Sequence, residues 1–274
     1  MKKLMIGIAA LCVIALSSVI SHAGVVGTLH DMSLYTPDAD PAIINPFKYF
    51  DTEQACVFCH TPHNANANIQ SGTYWTSGGY TNAPGGTKGF LLWNRALSNA
   101  TSMQLYTSAS MENTPTQVNT YSLLCLSCHD GVSALNVLNQ QPGDMFDSDS
   151  DGKVDTVPLG QFVMLGQVTG LPANIGNRNP SADTGINDLS NDHPISIDYI
   201  YAQANDAGLR AATGSYVGDP AIRLFANPVS GNKNSLECST CHDVHNQGTK
   251  AAGTFPFLVI SNNGSALCTQ CHLK

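Results

Sequence analysis

Four short segments of this chain carry reactive chemistry at one spacing. They are CVFCH (Cys56, Cys59, His60), CLSCH (Cys125, Cys128, His129), CSTCH (Cys238, Cys241, His242) and CTQCH (Cys268, Cys271, His272). Residues three apart stand about one helical turn apart, so both thiols of a pair reach the two vinyl groups of a single porphyrin. The residue that follows projects its imidazole at the iron. This is the attachment signature of c-type haem. Two other chemistries use the same residue types. Eight cysteines in an exported chain could make four disulfides, and paired C-x-x-C units could hold zinc. Neither explains a histidine directly after every pair with none of these eight cysteines left over.

The other histidines extend the pattern. The chain has nine. His22 falls in the N-terminal leader, and four follow the cysteine pairs. His30, His63, His193 and His245 remain, one for the distal face of each of four six-coordinate irons. His63 lies three residues after His60 and cannot swing to the opposite face of the same porphyrin, so it is expected to serve a different haem. CSTCHDVH repeats the device with His242 and His245. Met32, Met103, Met111, Met145 and Met164 are alternative distal ligands that would raise the potential. Enough histidines exist without them, and packing is their expected role.

The elements that must position these groups are sparse. Gly, Asn, Ser, Thr and Pro dominate stretches such as 64–89, and few segments show helical or alternating periodicity. A chain of this kind is disordered unless something staples it, and covalent haems would be the staple. The expected fold is mostly irregular coil with short helices packed around four c-type haems, and little sheet. Helices are expected over 121–138 and 195–204. Trp75, Trp93, Tyr74, Tyr80 and Phe90 are expected against porphyrin faces. The first cysteines of successive sites lie 69, 113 and 30 residues apart, which reads as one haem-threaded domain over 24–274.

Lys2 and Lys3, an apolar run over 4–20 and the small-x-small site Ser21-His22-Ala23 read as a secretory signal over 1–23. An uncleaved anchor is the alternative. Cys12 lies within that run and would be discarded with it. The remaining 251 residues (274 minus 23) carry 10 basic and 20 acidic side chains. That balance excludes nucleic acid as a partner, and no later apolar stretch is long enough to span a bilayer. In 147–155, Asp147, Asp149, Asp151 and Asp155 flank Gly152 like the first part of a calcium loop. The twelfth position is Pro158 rather than glutamate, and a solvated acidic turn is the alternative reading.

CVFCHTPHNA, LLWNRALS (91–98), SLLCLSCHDGVSAL, NDHPIS (191–196) and CSTCHDVHN together resemble the doubled-CXXCH multihaem cytochromes c. In number and order, the sites are similar to the tetrahaem members that polymerise into extracellular filaments in metal-reducing bacteria. The resemblance implies a coil-rich chain in which every haem is bis-histidine and one distal ligand comes from the neighbouring subunit. It implies His60, His129, His242 and His272 as proximal ligands. It implies His193, before Pro194, and His30, in GTLHDMS, as distal ones.

With both axial positions filled, no iron is open to substrate, so the chain reads as an electron carrier rather than an enzyme. Its expected setting is outside the cell, reached through the periplasm. There it would be a head-to-tail homopolymer fed by redox protein donors and discharging to a metal oxide or another external acceptor. A soluble periplasmic shuttle and a small reductase with one open haem are the rival readings. For the ligand shared between subunits, His30 and His63 both qualify. His63 is favoured because a histidine already fixed by a covalent haem loses less entropy on crossing an interface.

Overall fold

In a computed structural model of the chain, the described residues are 24–26, 28, 30–33, 54–67, 69, 73–76, 79–82, 90–98, 103–130, 133, 135, 137–140, 188–226, 234–245 and 257–273. The expected signal over 1–23, the segment 147–155 with its expected calcium loop or acidic turn, Met145 and Met164 lie outside them. Among the described residues no helix is long and apolar enough to cross a membrane.

The strands are short. β1 (Thr73–Thr76) and β2 (Gly79–Asn82) form an antiparallel hairpin. Their side chains, with those of Tyr74, Trp75, Tyr80 and Phe90, lie outside what is described. β3 (Gln104–Leu105) pairs in parallel with β4 (Asp188–Leu189). β5 (Ile197–Asp198) pairs antiparallel with β9 (Ser235–Leu236). The largest sheet is a three-stranded meander of β6 (Ala212–Thr213), β7 (Tyr216–Val217) and β8 (Asp219–Arg223). Gly214 and Gly218, both at φ 64°, make its turns.

The longest helix is α1, Thr120–His129, and it carries the second cysteine pair. Leu123, Leu124 and Leu126 are buried along it. Leu123 and Leu126 pack with Met103, Val118 and Leu189, which places Met103 in the core. Each fully buried leucine contributes about 1.5–3 kcal/mol. The helix expected over 121–138 ends at His129, with Asp130 as its C-cap. The reason is local: Asp130 accepts the backbone N–H of Ser133 at 2.7 Å and its hydroxyl at 2.7 Å, which turns the chain. The helix expected over 195–204 starts later, as α2, Tyr199–Asn205. Asp198 accepts from Tyr201 N and caps it, while Ile197 and Asp198 are drawn into the sheet by Leu236 and Ser235.

Arg95 holds the end of α1. Its guanidinium is buried and donates to Ser127 O at 3.0 and 3.3 Å and to Leu135 O at 2.7 Å. A second core forms where Tyr199 meets Val217, Ile222, Leu224 and Leu236. Cys271 packs against its edge.

Candidate haem-attachment sites

Each cysteine pair is built on one helical turn. α1 carries Cys125 and Cys128, α3 is Cys238–Cys241, and α4 is Cys268–Cys271. At the first site, Cys59 N and His60 N both donate to Cys56 O, at 3.1 and 2.8 Å. His242 N to Cys238 O and His272 N to Cys268 O close the same turn at 3.0 Å. His60, His242 and His272 then leave the turn in extended backbone. Each forms an isolated bridge, with Trp93, Leu258 and Leu209 respectively. The two thiols of a pair thus share one face, with the imidazole held beside them.

Six of the eight candidate ligands meet in pairs. The ring centroids of His60 and His245 are 6.3 Å apart with planes 25° from parallel. His193 and His272 are 6.4 Å apart, and His30 and His129 5.9 Å. Two imidazoles bound to opposite faces of one metal ion, each nitrogen about 2 Å from it, hold their centroids about 6 Å apart. Each pair joins one histidine that follows a cysteine pair with one that does not. The residues therefore fit an iron porphyrin seated between the rings and bonded to the adjacent thiols.

The ring nitrogens are oriented for that role. His60 Nδ1 lies 2.5 Å from Leu91 O and His193 Nδ1 2.9 Å from Pro194 O. A carbonyl can only accept, so Nδ1 carries the proton and Nε2 keeps its lone pair for a metal. His245 Nδ1 is 3.4 Å from Asp243 Oδ1, the same device with a carboxylate. Burial, with the nearby charges of His129, His245 and His242, lowers His30 to about 4. Burial also lowers His60 and His193, against the opposing hydrogen bonds that their rings donate to Leu91 O and Pro194 O. A histidine held neutral is ready to coordinate. His30 Nδ1 is buried without a hydrogen-bond partner, and the ring packs edge-on against Phe257 at 4.7 Å.

His63 stands apart. It is exposed, and its hydrogen bonds run through its own backbone to the Thr61 hydroxyl. His242 is also exposed, at the C-cap of α3.

The eight cysteines of the four motifs are free thiols. Burial pushes Cys59 up to about 12 and Cys241 up to about 11. Burial thus favours the neutral form of both thiols. Three or more His, Cys, Asp or Glu do not converge into a metal-binding group among the described residues. Trp93 is buried with its ring edge-on to His60 at 5.5 Å.

Two residues that sequence reasoning missed join the sites. Arg95 lies beside Cys59 and Cys128 and tends to lower both thiols, although burial dominates and raises them. Glu237, 1 % exposed, precedes Cys238 and binds α1 to α3 through Asn119, Ser122, Ser196 and Ser235. Burial raises its pKa, and the four side-chain donors oppose that rise. The available signal was a lone charge in each of two otherwise uncharged stretches, LLWNRALS and NSLECSTC, in a chain only 12 % charged. At the same junction the Cys125 thiol hydrogen-bonds Cys238.

The family model of the doubled CXXCH motif matches residues 227–274, which hold the third and fourth sites and His245. No curated protein matches the chain. The doubled motif marks covalent c-type haem binding and cytochrome-like electron transfer.

Proposed function

We propose that the chain is a tetrahaem electron carrier that polymerises head to tail outside the cell. Haem c supplies a one-electron iron couple whose potential depends on axial ligands and burial. Everything else falls to the chain. The observation that carries the reading is the pairing of His30 with His129, His60 with His245 and His193 with His272 at about 6 Å. Those pairs use six of the eight histidines, and the exposed His63 is not among them.

His63 follows His60 by three residues and is exposed, so it can serve as the distal ligand of a haem in a second copy. Such a contact joins unlike surfaces and propagates as an open filament rather than a closed dimer. It would also fix the register between subunits. With every axial position filled by imidazole, electron transfer rather than substrate turnover is the chemistry this ligand set favours. An external metal oxide is the acceptor class this reading assigns.

The test is His63→Ala on secreted protein. The expected result is four covalent haems per chain by pyridine haemochrome and intact mass, loss of filaments on a sizing column and in electron micrographs, and one haem turned high-spin. Unchanged filaments with every haem low-spin overturn the shared-ligand assembly. A native protein that runs as a monomer with four low-spin haems supports a soluble shuttle instead.

A further inference from the structure

Glu237 is a buried carboxylate whose hydrogen-bond partners are all neutral. Oε1 accepts from Asn119 Nδ2 at 3.0 Å and Ser235 Oγ at 2.6 Å. Oε2 accepts from Ser122 Oγ at 2.5 Å and Ser196 Oγ at 3.1 Å. The directions of these bonds are fixed by what the donors accept. Ser122 Oγ takes the N–H of Cys238 at 3.1 Å, and Ser196 Oγ takes the N–H of Asn119 at 2.9 Å. Ser235 Oγ takes one Asn119 amide hydrogen at 3.1 Å. Each hydroxyl hydrogen is therefore left to point at the carboxylate. Two donors fill the lone pairs of each oxygen, and no acceptor faces a proton on Glu237. The cage is built for the anion.

The charge is also distributed unevenly over the four sites. Arg95, a buried cation, lies beside Cys59 and Cys128 of the first and second sites, and at the second it stands against the buried carboxylate of Asp130. At the fourth, Arg210 donates from its backbone to Cys271 O at 2.8 Å and from its guanidinium to Gln270 O and Thr269 O at 3.0 and 3.3 Å. The third site has Glu237 directly before Cys238. Oxidised haem iron carries one more positive charge than reduced iron, and in a low-dielectric interior a fixed anion favours the oxidised form.

We propose that Glu237 is a fixed buried anion that makes the third site, Cys238–Cys241 with His242, the most reducing of the four haem sites. This rests on the tetrahaem reading above. A purely structural lock between α1 and α3 would need the same hydrogen bonds but not the charge.

Glu237→Gln separates the two roles, because it keeps the length and shape of the side chain while removing its charge. In spectroelectrochemical titration of the variant, one reduction equilibrium is expected to shift about tenfold toward the reduced form, about 59 mV for one electron. The other three are expected to move less, and Glu237→Asp should return the titration to near native. Four low-spin haems with unchanged potentials overturn the proposal, as does an equal shift of all four. Should Glu237→Gln not fold, a redox titration of the native protein followed by NMR keeps it testable. The haem assigned to α3 must then oxidise first on stepwise oxidation, and any later place overturns the proposal. Native protein without haem on Cys238 and Cys241 by peptide mass overturns the tetrahaem reading as well, which distinguishes the two failures.

Discussion

The second and fourth attachment sites use the same five-residue chemistry in opposite settings. At the second, the cysteines lie in the ten-residue helix α1, which buries Leu123, Leu124 and Leu126 and is held at its end by the buried Arg95. At the fourth, the cysteines form a four-residue helix with no buried residue, preceded by the exposed turn Asn263–Ser265 and followed by exposed Leu273. One site is part of the protein's apolar core, so its loss removes packing shared by several strands. The other is a surface turn tied down by hydrogen bonds from Arg210 and Gln270. The CXXCH unit therefore needs very little from its host beyond a single turn, and a host built around it gains a core.

The largest contrast should come from removing each staple. Replacing Cys125 and Cys128 by alanine is expected to give degraded or unfolded protein, whereas the same change at Cys268 and Cys271 should leave a soluble, protease-resistant chain with one haem fewer. Yield and limited proteolysis check this, and equal recovery of both variants would erase the distinction between the two sites. A smaller effect is expected in the side chains around them. Leu123→Ala should cost about 2–5 kcal/mol, while Leu273→Ala should stay within about 0.5 kcal/mol, read as denaturation midpoints on the haem-loaded protein. A contrast of the same order concerns the two arginines. Arg95→Met leaves the buried carbonyls of Ser127 and Leu135 without their donor, at about 1–3 kcal/mol each. Arg210→Met exposes its carbonyl partners to water, and the expected loss is below about 1 kcal/mol.

The parts legible in the sequence were the local ones. The i to i+3 cysteine spacing forces a single turn, and four such turns are found. The excess of four histidines over the attachment motifs pointed to distal ligands. Which histidine faces which was not legible, because His60 and His245 meet only through long-range packing. The hydrophobic run after His129 suggested more helix, but the Asp130 carboxylate competes for the backbone at Ser133. The meander was also missed, since its strands are two to five residues long and depend on Gly214 and Gly218. Gly218 matters twice: a Cβ there would fall 2.4 Å from Gln270 Oε1, the atom that accepts from Asp219 N and joins the meander to α4. Arg95 and Glu237 escaped notice because a single charge has no periodicity.

The histidine pairs interlock along the chain. The interval from His30 to His129 overlaps that from His60 to His245, which in turn overlaps that from His193 to His272. A cut anywhere between residues 30 and 272 therefore separates at least one pair. No fragment that ends between them keeps all three pairs. During synthesis the last of these imidazoles to emerge, His272, completes a pair opened by His193, so the third pair can close only after residue 272 has been made.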